Sequence, residues 1–443
     1  MLNRFAQALW GTFESTQERM KFIRLSAIFA FIIGVYSIVQ VTKDVIFLHT
    51  VGIDYLPYVK IFSLFITIPL IFLYGKLVDI FARHHVFYII CVGYAVLFCL
   101  FGLAIIHPTI GITNTVLSPS RIIGWLWYAV VEGFGSIIVS LTWSFISDIT
   151  TPESAKRGFP VIALGAQMGG FVGPLIFYSA SLHWGPVPFI FIGALGSICI
   201  ALSLFYFMSV TPRHELVGFH EQEQKALAAK TKTEFLEGLK LISSSAYLIA
   251  IVLVVTLYEV IITVFEFHVK TLAQVAYCTP HDLNCFLFKS MIYTNGVAAL
   301  LLLLGIGTVG RNLGLLRTLL LLPCFMALGV LLLFFHFDIS TALFVFVGAK
   351  GLNHALNQPA KEQLYIPTSK ASRYKAKAWI DIFGSRLAKG VGSSVHILRP
   401  VLQLAFVGVS SLISFSLIVV WILAAFFVGK AHAQAIKHDK TIC

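Results

Sequence analysis

Eight ionisable side chains sit inside stretches apolar enough for lipid: Lys60, Glu132, Glu266, Lys270, Lys350, Asp381, Arg386 and Lys389. Lys43 and Asp44 lie toward the end of the first such stretch. A charge at mid-bilayer costs about 2.5–3.5 kcal/mol on insertion scales, so these groups must face a wet cavity or one another. Lysine and arginine offer phosphate a point charge or a bidentate contact. Glutamate and aspartate balance those cations or carry a proton. The competing explanation is snorkelling at helix ends or structural ion pairing. It suits Lys43, Asp44, Lys76 and Asp79, near span ends, better than Lys60, Glu132, Arg386 and Lys389, which have apolar residues on both sides. Lys60, Lys270, Lys350, Arg386 and Lys389 outnumber the deep carboxylates, so the cavity is expected to be electropositive and to suit an anionic substrate.

Other chemistries find little support. The chain has no GxxxxGK[ST], the loop that cradles nucleotide phosphates for hydrolysis, so movement of a substrate would be driven by gradients through exchange or ion coupling. Its seven cysteines show no metal-binding spacing, and neither metal nor cofactor is expected. Trp127, Tyr128 and Trp143 flank Glu132, where an aromatic wall could stack on a nucleobase. For any single one of them, ordinary packing or contact with lipid is the stronger expectation.

Long helices must carry these groups. Of 443 residues, 58% are hydrophobic and 12% charged, and mean hydropathy is +0.89. A soluble domain is nearer one quarter charged, so the chain reads as an integral membrane protein. Windows of about 20 apolar residues predict twelve transmembrane helices, at 22–49, 56–80, 86–107, 121–147, 158–181, 186–209, 245–271, 289–309, 315–336, 340–358, 376–398 and 400–429. The runs are continuous rather than alternating, which argues against a β-barrel. No cleavable signal peptide is evident in the polar, amphipathic start.

Lys and Arg fall in alternate loops: Arg4, Arg19, Lys21 and Arg24, then Arg83, Lys156 with Arg157, Arg213 to Lys232, Arg311, Lys370 with Arg373, and Lys430 with Lys437. The opposite loops, such as "HTVGIDYLP" and "HPTIGITNTVLSPS", are nearly free of cations, so both termini are expected in the cytoplasm. The net charge of +12 comes largely from this asymmetry and argues poorly for nucleic-acid binding. Cys278 and Cys285 then fall in an outer loop, either as a disulfide, if that side is oxidising, or as two unpaired thiols.

The polar stretch from Thr211 to Gly238 divides the chain. The expected organisation is a cytoplasmic segment at 1–21, a six-helix bundle at 22–210, a linker helix at 211–240, a second six-helix bundle at 241–430, and a tail at 431–443. Setting the segment from Ala155 beside the one from Tyr374 aligns Lys156 with Lys375, Gly165 with Gly384, Val172 with Val391 and Gly173 with Gly392, as a parallel duplication would. The expected fold class is therefore all-α and polytopic, with two six-helix bundles in a major-facilitator-like arrangement.

One stretch resembles the nucleotide transporter family, the ATP/ADP translocases of plastids and obligate intracellular bacteria. The matching residues are Glu132, Gly135-Ser136, Ser140-Leu141, Phe145, Ile149-Thr150-Thr151, Glu153 and Ala155-Lys156-Arg157, with Ser154 as an insertion. "TKDV" (Thr42 to Val45) and Lys60 after "YLPYV" are similar to its first two spans. "EFHVK" (Glu266 to Lys270), "FVGA" (Phe346 to Ala349), "PAKEQLYIP" (Pro359 to Pro367) and "KAKAWID" (Lys375 to Asp381) resemble further segments in order. Departures are Ala388-Lys389-Gly390-Val391-Gly392, Gln358-Pro359 and Leu320, with Arg317 one turn from the last.

The resemblance implies a twelve-span inner-membrane carrier exchanging nucleotides such as ATP and ADP by alternating access. It implies that Lys60, Glu132, Glu266 and Lys389 match charged positions essential for transport or substrate binding. Lys270 and Arg386 join them as candidate substrate-binding residues, and Lys43, Asp44, Asp381 and Lys350 are further candidates. Proton-coupled import of another nucleotide and NAD exchange are the alternatives within the family. Outside it stand a membrane transferase, which lacks a recognisable nucleophile or metal cluster, and a receptor, which has no need of so many deep cations.

Overall fold

The computed structural model describes residues 13, 15–81, 83–150, 152–212, 234–303, 314–365, 367–368, 376, 379–380, 384–402, 405–438 and 442. These residues are almost entirely helical, and none lies in a strand ladder. Among the described residues, ten helices are long and apolar enough to cross a membrane. The chain divides into two compact units. One comprises 1–55, 62–225 and 277–295, the other 56–61, 226–276 and 296–443.

The first helix, α1 (Thr16–Thr50), starts where Ser15 caps the backbone N–H of Glu18 at 2.9 Å. Its 35 residues reach about 52 Å at 1.5 Å per residue. It stops at Gly52, whose φ of +106° is open to glycine at little cost. Pro57 in the first turn then starts α2 (Leu56–Ile80). After α3 (Arg83–Ile106), the guanidinium of Arg121 ties the next loop by donating to the carbonyls of Ile110, Gly111, Asn114 and Val116. Three helices complete this half: α4 (Ile122–Asp148), α5 (Pro152–Ser181) and α6 (Val187–Val210).

The core of the first unit is aromatic. Phe98 meets Phe134 and Trp127 edge-on at 5.3 and 5.5 Å, a favourable geometry for ring quadrupoles. Between α1 and α5 the packing is of another kind. Gly158, Gly165, Gly169 and Gly173 recur along one face of α5 against Phe22, Ser26, Ala30 and Gly34, close enough that a Cβ would collide at each. Small residues at this spacing let helix backbones approach closely in lipid. At the end of this pair, buried Glu18 accepts from Arg157 Nη2 at 2.8 Å and from the Ser154 hydroxyl, while Lys21 donates to the Ile149 carbonyl. Arg157, in the "AKR" motif, is therefore a structural tie within this unit.

In the second unit α7 (Ala246–Ala276) is buried on nearly every side. Around it lie part of α8 (Pro280–Leu303), then α9 (Leu315–Phe335), α10 (Ile339–Leu352), α11 (Ser385–Ser394) and α12 (Phe406–Lys437). Gly392 of α11 brings its Cα close to α7, where a Cβ would stand 2.6 Å from the Val260 carbonyl. The sequence alignment pairs Gly392 with Gly173, and each packs its helix against the first long helix of its own unit. Beyond Leu352 the chain takes one π turn, Asn353–Asn357, before Gln358–Leu364.

Several boundaries differ from the hydropathy windows. The eighth helix begins at Pro280 rather than near 289, because Thr279 and Asp282 cap its first turn, with Asp282 N–H to Thr279 Oγ1 at 3.0 Å. Those polar residues fall outside any apolar window. The eleventh window, 376–398, is described in part, and its helix proper is the ten residues of α11. Most of the expected linker helix and all of Asp381, Lys370, Arg373 and Lys375 lie outside the described residues. No disulfide joins Cys278 to Cys285, whose thiol donates to the Ser181 carbonyl at 2.7 Å.

Candidate functional site

The deep charges gather in two clusters, one in each unit. In the first unit α4 carries Glu132 and α1 carries Lys43, and the two form an ion pair through Glu132 Oε1. The Lys43 ammonium also stands over the Tyr128 ring, 4.3 Å from its centroid, a cation–π contact. Asp44 is buried beside it. Gly135 leaves room for the Tyr36 ring, with which any Cβ there would collide. For Lys43 the expectation was snorkelling from a span end or a structural ion pair; it forms an ion pair, with its side chain only 4% exposed while that of Glu132 is 31% exposed.

The flanking aromatic residues divide. Trp127 packs on Phe98 and Phe101, and Trp143 on Phe29 and Phe159, so both are core residues. Tyr128 alone of the three touches the charged pair.

The second cluster is larger. Glu266 of α7 accepts from Lys270 at 2.6 Å through one oxygen and from Lys60 at 3.1 Å through the other. Lys60, the fifth residue of α2, belongs to the same compact unit as α7. Lys270 lies one turn beyond Glu266, a spacing that puts both on one helix face. Lys350 of α10 stands over the Phe346 ring at 4.6 Å and within electrostatic reach of Glu266, Glu259, Lys270 and Lys389. On α11, Lys389 approaches Glu259 at 3.8 Å, and Arg386 precedes it by three residues. Among the described residues, Lys60, Lys270, Lys350 and Lys389 thus surround two carboxylates, Glu259 and Glu266, a surplus of cationic charge.

Glu259 was not singled out in the sequence. It precedes Glu266 by seven residues and Lys270 by eleven, a run that repeats on one helix face. That spacing was the available signal. No group of three or more potential metal ligands occurs among the described residues.

A profile of the TLC ATP/ADP transporters matches residues 1–432. The chain belongs to the TLC ATP/ADP transporter family. Among relatives, ADP,ATP carrier protein 1 of Chlamydia muridarum is 26% identical, over 90% of this chain and 86% of that one. ADP,ATP carrier protein 4 of Rickettsia bellii is 23% identical over 99% and 95%. The plastidic ATP/ADP-transporter of Solanum tuberosum is 27% identical over 85% and 67%. In fold, the chain is similar to the peptide transporter POT, with a TM-score of 0.60 at 12% identity over 93% of this chain and 95% of that one. A bacterial homolog of the lysosomal transporter Spinster gives 0.57 at 13%, over 95% and 99%. This TLC family member is therefore a multi-pass membrane transporter with a major-facilitator-like fold, not an enzyme. The family match does not favour the receptor, proton-coupled or NAD readings.

Proposed function

We propose that this carrier exchanges ATP for ADP across an inner membrane by alternating access, with both termini in the cytoplasm, and that the cluster around Glu266 receives the phosphates. The surplus of lysines over carboxylates in that cluster carries the reading. Lys60, Lys270, Lys350 and Lys389, with Arg386, present donors that suit phosphate oxygens. Glu266 holds Lys60 and Lys270 at 3.1 and 2.6 Å. A phosphate competes for those same ammoniums, so Glu266 stands in for the anion and keeps the lysines from repelling one another without it. Glu132 is the corresponding carboxylate of the first unit. In this reading Asp44 is a neighbour of the Lys43–Glu132 pair rather than a ligand.

Such an arrangement favours exchange. A carrier that has released its nucleotide returns with fewer anions balancing its buried cations, and that is costly in lipid. Reconstituted protein is therefore expected to take up labelled ATP only when ADP or ATP is present inside the vesicle, with no effect of a proton uncoupler. Lys60→Ala and Lys389→Ala are each expected to lower uptake at least tenfold. Wild-type rates in both variants would remove the phosphate site from this cluster.

A further inference from the structure

We propose that Lys350 is the residue that makes exchange obligatory. Among the described residues its ammonium has no carboxylate in contact, so the carrier reorients only when a substrate phosphate supplies the counter-ion. The inference rests on the exchange reading above and assigns the coupling to one side chain.

Lys60, Lys270, Lys350, Lys389, Glu259 and Glu266 all belong to the second compact unit. Their pairing is uneven. Glu266 holds Lys60 and Lys270, one on each oxygen, and Glu259 faces Lys389 at 3.8 Å. What Lys350 has instead is the face of Phe346, 4.6 Å from the ring centroid. Such a contact offsets only part of what a cation loses with its water. Lys389 and Lys270 are near enough to repel it, while Glu266 and Glu259 attract it from farther off. The turn of α10 that carries it is otherwise apolar, with Phe346, Val347, Ala349 and Gly351 buried, and Lys350 itself is only partly exposed. Lys389 differs in having both a carboxylate nearby and a side chain that is 57% exposed, so its charge is solvated already.

Water solvates Lys350 in any state that keeps the cluster open. A state that shuts water out leaves a cation without a counter-ion, and that is costly inside a membrane protein. A phosphate removes the cost by bringing the missing negative charge. Glu266 cannot do so without giving up Lys60 or Lys270. An empty carrier therefore stays where it is, and a loaded one returns.

The test uses proteoliposomes loaded with labelled ADP and labelled sucrose, diluted into buffer with or without unlabelled ADP. The wild-type protein is expected to release ADP only into buffer that contains nucleotide. Lys350→Met is expected to raise release into nucleotide-free buffer about tenfold, with the sucrose retained, while exchange slows because a phosphate donor is lost. Lys350→Arg keeps the charge and stays coupled. Lys389→Met loses exchange without gaining net release. Net release that stays at the wild-type level in Lys350→Met, or that is accompanied by loss of sucrose, overturns the proposal and leaves the phosphate cluster standing. So does uncoupling by Lys350→Arg, or equal net release from Lys350→Met and Lys389→Met, because charge number alone would then set the coupling. Should Lys350→Met fail to fold, Lys350→Gln takes its place with the same outcomes. Absence of exchange by the wild-type protein would instead count against the transport reading.

Discussion

Glu266 and Glu259 occupy one face of one helix and pair with lysines, but with different consequences. Glu266 holds two ammoniums at once and is 27% exposed, with Lys60 and Lys270 more deeply buried at 13% and 6%. Removing one partner from a buried pair costs about 3–5 kcal/mol, because the remaining charge is left without compensation. Glu259 faces a lysine that is 57% exposed at 3.8 Å, and exposed pairs contribute about 0–1 kcal/mol. Glu266→Gln is therefore expected to lower stability by about 3 kcal/mol, near the lower end of that range, and Glu259→Gln by less than 1 kcal/mol. Denaturant unfolding of the detergent-solubilised variants measures the difference. Equal losses would mean that Lys60 and Lys270 find other anions.

At the scale of the element, the α1–α5 contact depends on glycine more than any other helix pair described. A Cβ on Gly169 would run into the Ala30 carbonyl, which belongs to backbone and has little room to move. Overpacking of this kind costs about 1–3 kcal/mol, so Gly169→Val is expected to lower the melting temperature. Gly93 of α3 is the control, since a Cβ there meets nothing within 4 Å. Gly93→Ala should raise stability by about 0.5–1 kcal/mol through backbone entropy. A melting temperature unchanged by Gly169→Val would show that the two helices separate without cost.

For the whole molecule, orientation is the open quantity that charge alone predicts. Cys278 is exposed and precedes α8 in a stretch assigned by the cation pattern to the outer side. Cys99 and Cys324 are also exposed, but within the helices α3 and α9. A membrane-impermeant maleimide is expected to label intact cells at Cys278, and Cys278→Ser should abolish the signal. Labelling only after permeabilisation would invert the orientation and place both termini outside.

Much of this architecture was legible from local composition. Hydropathy marks a span by what its own 20 residues are, and α2 coincides with its window at 56–80. Local reading failed at the capped start of α8, whose polar first turn lies outside any apolar window. It also passed over Glu259, whose meaning lies in its register with Glu266.

By itself, then, the sequence determined that the chain spans a membrane and carries more cations than carboxylates within its apolar stretches, because hydropathy is decided residue by residue. Which cation meets which carboxylate was decided only by tertiary structure. Lys43 finds Glu132 across 89 residues and Lys60 finds Glu266 across 206. Those partnerships depend on how helices are rotated and how closely they approach. That is fixed by packing, including contacts as small as a glycine face, and not by the composition of either helix.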